Sequence, residues 1–362
     1  MSTMSASTAR RVPDVSSSPP WEMGSAFPLI LGDGSAEPNN ELNGGRLFGS
    51  GRQALRALAT LGRNRYGWRA VHVPTYYCPE VVDDLKQVID VRRYVASPQG
   101  DFVEPALGTG EAVLVASYFG RQPPSIGDRS SVRILDVTHD PFAPWIADYP
   151  ADYVVASLRK TLPLPDGGWI RSLSGRLLPE PRRCAERQLG TTIEMLTAMS
   201  LKAAYIAGAP IEKATYLRLF KSAESHLRYS APGEISVFSQ AAAETFPIWR
   251  WREKRVENIA TLEAALDGLS GLAFIPSTYG VVLHCASHRL REAIRLRLIS
   301  HDVYPAVLWA LDGPDIPRNH IQLSRRILFL HADFRWTSSD LYRAAHIVRD
   351  AHGEYLGKES EC

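Results

Sequence analysis

The sequence predicts an α/β protein with a large domain built on a mainly parallel sheet and a smaller α+β domain at the C-terminus. Two observations support this prediction. Short β-branched runs alternate with helical patterns up to about residue 172, and these runs are apolar along most of their length. Strands of that kind are typically covered on both faces, as in a parallel sheet between helices. After a helical middle region, strands and helices return in the C-terminal part.

The predicted elements follow from these patterns in chain order. A helix begins after Ser50-Gly51, where apolar residues recur at helical spacing. In the large domain we predict strands at 70–74, 90–95, 111–119, 132–137 and 152–157 and a helix from 79 to about 88. The middle of the chain is predicted to be helical, at 179–209, 212–229 and 234–267. In the small domain we predict strands within 271–277, 279–286 and 325–333, and helices at 288–300 and 341–351.

Three regions are expected along the chain. The start of the sequence is rich in Ser, Thr and Pro and lacks the apolar segment of a secretory signal, so residues 1–25 are expected to be a disordered tail. We expect the large domain at 26–248 and the small domain at 249–362.

Composition excludes several classes of function. The 362 residues are 45% hydrophobic with a formal net charge of +2, a balance that favours neither nucleic acid nor a membrane surface as a partner. No apolar run approaches the ~20 residues of a membrane span. The cysteines are scattered, at Cys78, Cys184, Cys285 and Cys362. Their spacing predicts neither a metal site nor a disulfide framework, and we expect a cytoplasmic protein.

The first chemical motif is the start of the first helix, Ser50-Gly51-Arg52. Small residues at a helix N-terminus let backbone N–H groups approach an anion, and the helix dipole favours a phosphate there. The alternative is an ordinary N-cap serine followed by glycine.

The second motif, Asp136-Val137-Thr138-His139, directly follows a predicted strand. A carboxylate at the C-terminal end of a parallel strand lies where α/β folds bind ligands. Alternatively, Asp136 caps a helix that begins near Pro141.

The third motif, Ser157-Leu158-Arg159-Lys160, lies between a buried strand and a turn-rich segment. Partial desolvation there would lower the pKa of the Lys160 amine, and imine formation requires the neutral amine. Gly167-Gly168 would let the next strand pass close to a ligand. The alternative is a solvated loop lysine.

The order of the three motifs resembles that of fold-type-I pyridoxal-phosphate (PLP) enzymes, most closely the DegT/DnrJ/EryC1 aminotransferases. Lys160 follows Asp136 by 24 residues, with Ser157 just before it. The segments 73–78, 254–262 and 333–336 resemble the family's ring-stacking strand end, the helix entering the small domain, and the segment before the last helix. The resemblance implies an aspartate-aminotransferase-like fold over about 45–352.

The resemblance also implies pyridoxal 5'-phosphate as cofactor and a role for each residue. Lys160 would bind the cofactor as a Schiff base and transfer the proton, and Asp136 would hold the pyridinium. Tyr76 or Tyr77 would stack on the ring, with Tyr76 preferred. The remaining expected contacts are to the phosphate (Gly51, Arg52, Ser157), to the ring (His139), and to a substrate carboxylate or solvent (Arg159).

This resemblance implies a homodimeric PLP-dependent aminotransferase that transfers an amino group from an amino acid to a carbonyl of a nucleotide-linked sugar or secondary-metabolite intermediate. A PLP-dependent lyase or side-chain replacement enzyme would use the same lysine, and a non-catalytic relative of the same fold is a further alternative. Ser157-x-x-Lys160 also matches the nucleophile motif of penicillin-binding proteins. That motif opens a helix and has a downstream Lys-Thr-Gly, whereas this one ends a strand and no lysine precedes Thr-Gly.

Overall fold

The computed structural model describes residues 19–32, 40–127, 131–183 and 186–360. The large domain holds β1 (Gly45–Phe48), α1 (Gly51–Tyr66), β2 (Ala70–Pro74), α2 (Pro79–Lys86), β3 (Asp90–Tyr94), β4 (Glu111–Ala116), β5 (Val132–Asp136), β6 (Tyr153–Ser157), β7 (Gly168–Ser172), α3 (Glu186–Ile206), α4 (Lys213–Tyr229) and α5 (Val237–Thr245). The C-terminal part holds α6 (Ile248–Leu266), β8 (Leu272–Ile275), β9 (Val281–Cys285), α7 (His288–Ile299), α8 (Arg318–Arg326), β10 (Ile327–Leu330) and α9 (Ser338–Ser360). Within the described ranges, no helix is both long and apolar enough to cross a membrane.

The large sheet has seven strands in the order β1-β7-β6-β5-β4-β2-β3. The five strands from β3 to β6 are parallel, and β7 and β1 add antiparallel pairs at one edge. The predicted mainly parallel sheet is therefore confirmed. Parallel strands place their C-terminal ends on one side of the sheet, which gathers the segments after β2, β5 and β6.

Both faces of this sheet are covered, which explains the continuous apolar runs. Along β4, Ala112 and Leu114 pack into a cluster beneath α1, whereas Val113 and Val115 pack into a second cluster on the other face. Alternate side chains of a strand point to opposite faces, so a strand buried on both sides must be apolar at every position.

Several element boundaries differ from the prediction. The predicted strand 111–119 ends at Ala116, and Phe119 adopts a φ of 52° in the short turn that follows. The helical segment 234–267 divides into α5 and α6 at Pro247, since a proline lacks the N–H that continues a helix. The strand predicted at 325–333 is Ile327–Leu330, because α8 occupies the residues before it.

A three-stranded antiparallel sheet, β10-β9-β8, forms the core of the small domain with α6, α7 and α9. Residues near the N-terminus join this core. Met23 is buried, its N–H donates to the carbonyl of Asp302, and its carbonyl accepts from Tyr304. The predicted disordered tail 1–25 is therefore wrong for 19–25, because burial of Met23 orders them, whereas 1–18 lie outside the described residues.

Asp140 of the large domain holds α6 and the start of the small domain in place. Its fully buried carboxylate accepts hydrogen bonds from Arg252 (2.9 Å), Arg255 (2.8 Å) and the Thr278 hydroxyl (2.9 Å). The two arginines can lie close together because each guanidinium donates a hydrogen bond to the same carboxylate. The negative charge of that carboxylate offsets their positive charges. The contact therefore couples the two sheets at the edge where the candidate site lies.

Replacing Asp140 with Ala is expected to lower the free energy of unfolding by about 3–5 kcal/mol, because the change leaves buried arginines without their carboxylate. Urea unfolding measures this loss. Glu257→Ala is the matched control, since the Lys254–Glu257 pair on α6 is exposed and should contribute less than about 1 kcal/mol. Equal destabilisation by the two variants would contradict the role given to Asp140.

Candidate active site

A cavity of about 260 Å³ lies where the C-terminal ends of β5 and β6 meet the N-terminus of α1. It is lined by every residue that the sequence singled out except Tyr76, namely Gly51, Arg52, Tyr77, Asp136, His139, Ser157, Arg159 and Lys160. The parallel sheet explains this convergence, because strand ends far apart in sequence meet along one edge.

The N-terminus of α1 is packed tightly against the segment that carries Ser157. A Cβ added at Gly51 would lie 2.9 Å from the Ser157 Cβ, and one added at Gly168 would overlap the Ser50 carbonyl oxygen. The Ser50 hydroxyl accepts from the N–H of Gln53, so the N-cap interpretation holds as well. Since the first turn contains no acidic residue, its N–H groups together with the Ser157 hydroxyl can receive an anion.

Arg52 lines the cavity, but its guanidinium is already paired. It donates to Glu80 at 2.7 Å and lies 3.6 Å from Asp84. We infer that backbone N–H groups and Ser157, more than the Arg52 side chain, supply the anion-binding groups.

Asp136 ends β5 and does not cap a helix, since the next helical turn (Pro144–Asp148) begins after Ala143. One carboxylate oxygen accepts from the N–H of Thr138 at 2.9 Å, and the other accepts from the Tyr77 hydroxyl. Burial raises the pKa of Asp136, and the hydrogen bonds from Thr138 and Tyr77 oppose that shift. The carboxylate is thus held rigidly at the cavity wall.

The preference for Tyr76 over Tyr77 is wrong. Tyr76 lies in a separate apolar cluster with Phe119 and Phe329, and its hydroxyl donates to the Leu308 carbonyl at 2.7 Å. The chain bends at residues 75–77 after β2 ends, and only one of the two tyrosines lines the cavity. That one is Tyr77.

His139 belongs to a layer of aromatic rings. Its imidazole lies nearly parallel to Tyr279, with centroids 4.6 Å apart, and to Trp309 at 5.8 Å. Its Nδ1 accepts from the N–H of Phe119 at 3.1 Å, which places the proton of a neutral ring on Nε2. Burial lowers the pKa of His139 to about 3, so the ring is neutral at physiological pH.

Lys160 ends the short turn (Leu158–Lys160) that follows β6. Its side chain is accessible from the cavities yet surrounded by protein, and this desolvation lowers the pKa of its amine. The carboxylate of Glu224 acts in the opposite direction.

Arg159 neither faces solvent nor lies free for a substrate, because it forms two hydrogen bonds with Glu224 at 2.6 and 3.1 Å. Burial acts to raise the pKa of Glu224, but Arg159 outweighs it and holds this pKa at about 2. Glu224 is therefore a carboxylate at all physiological pH values.

A second cavity, of about 340 Å³, adjoins the first. Lys160, Glu224, Tyr279 and His331 line both, so the lysine lies between the two spaces. The sequence analysis missed Glu224, Tyr279, Trp309 and His331. Glu224 occurs on α4 and the other three in the C-terminal part, none with a motif around it, and only tertiary packing brings them to the cavities beside Lys160.

No protein-family model matches the sequence, and no curated protein matches it. Solved structures, in contrast, are similar over most of the chain. The aminotransferase PseC from Helicobacter pylori, involved in the biosynthesis of pseudoaminic acid, superposes with a TM-score of 0.63 at 11% identity, covering 92% of this chain and all of its own length. The chain therefore has the fold of PLP fold-type-I aminotransferase structures.

Two further structures agree with PseC. DesI, solved in the presence of its TDP-sugar product, gives a TM-score of 0.61 at 14% identity and covers 89% of this chain and 85% of its own. NtdA from Bacillus subtilis, with bound cofactor PMP, gives 0.56 at 12% identity and covers 84% and 73%. At such identities the likeness establishes the fold, including the aspartate-aminotransferase-like large domain that the sequence predicts.

Replacing Glu224 with Gln is expected to lower the pKa of Lys160 further, because the change removes the negative charge that stabilises its ammonium form. The pH dependence of reductive methylation at Lys160, followed by peptide mass spectrometry, measures the shift. The midpoint should move to lower pH than in the wild type. Glu180→Gln, in an exposed pair with Arg46, is the control and should leave it unchanged; a rise in Glu224→Gln would contradict the assignment.

Proposed function

We propose that this protein is a PLP-dependent aminotransferase, which transfers an amino group from an amino acid to a carbonyl of a nucleotide-linked sugar or a secondary-metabolite intermediate. One observation carries the proposal. A partly desolvated lysine, a buried carboxylate at a strand end and a helix N-terminus free of acidic residues line the same cavity. These are the groups that PLP requires for its aldehyde, its ring nitrogen and its phosphate.

The residues present fit this cofactor. The hydroxyl of Ser157 and the first-turn N–H groups of α1 would bind the phosphate, where glycine at position 51 permits close approach. Asp136, already fixed by Thr138, would pair with the ring nitrogen. When bound, PLP supplies an electron sink that stabilises negative charge at the substrate carbon.

The chain's own residues supply positioning and proton transfer. Lys160 lies between the two cavities, so its amine can bind the cofactor on one side and move a proton at the substrate on the other. Neutral His139 offers its Nε2–H beside the ring position and adds no charge there. The aromatic layer of Tyr279 and Trp309 excludes water from that side.

Two solved structures support a sugar intermediate as the acceptor. DesI was solved in the presence of its TDP-sugar product, and PseC is involved in the biosynthesis of pseudoaminic acid. We further propose a cytoplasmic homodimer with domains at 26–248 and 249–362 and with the active site at the subunit interface. A lyase or side-chain replacement enzyme would need the same lysine and stays the second candidate. A non-catalytic scaffold is less favoured, because both Lys160 and Asp136 line the cavity.

The purified protein should take up PLP with a visible absorption band, and borohydride should then attach the cofactor covalently to the peptide that contains Lys160. Lys160→Ala should lose both signals, since the amine that forms the bond is removed. Lys221→Ala is a matched control, because Lys221 lines the adjoining cavity with Lys160 but does not line the cavity that holds Asp136 and Ser157. It should retain the band.

Absence of PLP uptake by the wild type would refute the proposed function. If PLP binds, an amino-acid donor should convert it to PMP and release one equivalent of the matching 2-oxo acid. Release of an unsaturated or side-chain-cleaved product without PMP would instead favour the lyase.

The wild type should bind PLP more tightly than pyridoxal, which lacks the phosphate. Ser157→Ala should reduce that preference by roughly 10- to 100-fold, since a hydrogen bond to a charged group contributes about 1.5–3 kcal/mol. Fluorescence titration of the apoprotein with each compound measures the ratio. Ser172→Ala, at the far end of the β7 strand, should leave the ratio unchanged; an equal loss in both serine variants would count against a phosphate role for Ser157.

A further inference from the structure

The hydroxyl of Tyr77 is bonded to the carboxylate that would hold the ring nitrogen of PLP. Tyr77 is only 2% exposed, lines the first cavity and donates to one oxygen of Asp136. The other oxygen of Asp136 accepts from the N–H of Thr138 at 2.9 Å. This bond gives Tyr77 a partner that the stacking role implied by the sequence does not include. The inference below rests on the proposed function.

The fold leaves room for this bond across the sheet. Tyr77 follows β2 and Asp136 ends β5, and β4 lies between these two strands. The residue of β4 that pairs with Asp136 is Ala116, which packs in the same apolar cluster as Tyr77. Because the side chain of Ala116 is small, the ring of Tyr77 can pass over the end of β4 and reach Asp136.

Trp309 of the small domain supports the Tyr77 ring. The two rings meet edge to face with their centroids 6.0 Å apart, and Trp309 also lies nearly parallel to His139. Aromatic pairs of this geometry have a preferred orientation and stabilise it. Packing as well as hydrogen bonding therefore keeps the Tyr77 hydroxyl directed at Asp136.

Tyr77 acts as the donor in this pair. Burial and the charge of Asp136 raise the pKa of Tyr77, so the phenol keeps its proton. Burial also raises the pKa of Asp136, and the hydrogen bonds from Thr138 and Tyr77 oppose that rise. A hydrogen bond to the charged form of a carboxylate makes the carboxylate a weaker base. Tyr77 thus reduces the tendency of Asp136 to take a proton from a ligand.

We propose that Tyr77 is a positioning residue for the cofactor, and that its hydroxyl keeps Asp136 ionised and directed at the ring nitrogen of PLP. While Asp136 is ionised, the proton stays on the ring nitrogen, and the charged ring withdraws electrons from the Lys160 nitrogen joined to the cofactor. Without the hydroxyl, Asp136 becomes a stronger base and draws the ring proton towards itself. The Lys160 nitrogen then holds its own proton more tightly.

A pH titration of the PLP-loaded protein tests this role, because the visible band changes when the Lys160 nitrogen loses its proton. In Tyr77→Phe the midpoint should rise by about 0.5–1 pH unit, since a hydrogen bond changes the pKa of a carboxylate by about one unit or more and part of that change reaches Lys160. 3-Fluorotyrosine introduced at position 77 is a stronger donor and should lower the midpoint. An unchanged or lower midpoint in Tyr77→Phe overturns the inference.

Tyr76→Phe is the matched control. Tyr76 is the neighbouring residue and equally buried, but its hydroxyl donates to the Leu308 carbonyl and it does not line the cavity. Each substitution removes one buried phenolic oxygen, so a general loss of packing should affect both variants alike. Tyr76→Phe should keep the wild-type midpoint, and the same rise in both variants contradicts a specific role for Tyr77.

A cofactor analogue identifies the route of the effect. In 1-deaza-PLP a carbon replaces the ring nitrogen, so the ring has no proton to share with Asp136. With this analogue bound, Tyr77→Phe should shift the midpoint much less than with PLP. An equal shift with both cofactors means that the hydroxyl acts on Lys160 without the ring nitrogen, and it overturns the inference.

The failure of the proposed function and the failure of this inference give different results. If the wild type takes up no PLP, the proposed function is refuted. If PLP binds to Lys160 and the midpoints of the wild type and Tyr77→Phe are equal, the proposed function stands and the role of Tyr77 is refuted. The charged side chains that act on Lys160, namely Glu224, Arg159 and Arg52, are the same in every variant.

Discussion

The candidate site depends on the close contact between the N-terminus of α1 and the turn that joins β6 to β7. Gly167 donates to the Gly49 carbonyl, Leu158 donates to the Gly167 carbonyl, and a Cβ at Gly51 or Gly168 would collide with the opposing backbone or side chain. Three backbone segments can approach this closely only where glycine is present. The contact places Ser157 beside the N-terminus of α1 and Lys160 between the two cavities. A side chain at Gly51 or Gly168 would therefore displace Ser157 and Lys160 from these positions.

The small domain completes the cavity wall that the large sheet leaves open. Asp140 holds α6 through Arg252 and Arg255, and the segment after α6 then carries Tyr279 onto the face of His139. His331 reaches Lys160 from the end of β10. A buried carboxylate with two arginines is costly to separate, which favours a fixed relation between the domains over a loose hinge. The rigidity matters because proton transfer requires groups to be positioned within hydrogen-bond distance.

Charges around Lys160 are balanced within the protein. Arg159 and Glu224 neutralise one another, Arg52 is engaged with Glu80, and Asp136 is held by Tyr77 and Thr138. This leaves desolvation as the main influence on the Lys160 amine, and desolvation favours the neutral form that reacts with a carbonyl.

The sequence alone determined the parallel sheet, the helix start at Gly51 and the positions of Asp136, Ser157 and Lys160, because these depend on local periodicity and on which residues end each strand. It could not decide between Tyr76 and Tyr77, since the direction of each ring depends on how the chain turns after Pro74. It also missed β1, α8, Glu224 and His331, none of which has a local signal. Only tertiary packing brings Glu224 of α4 and His331 of the small domain to Lys160, and contacts between residues far apart in sequence leave no periodicity to detect.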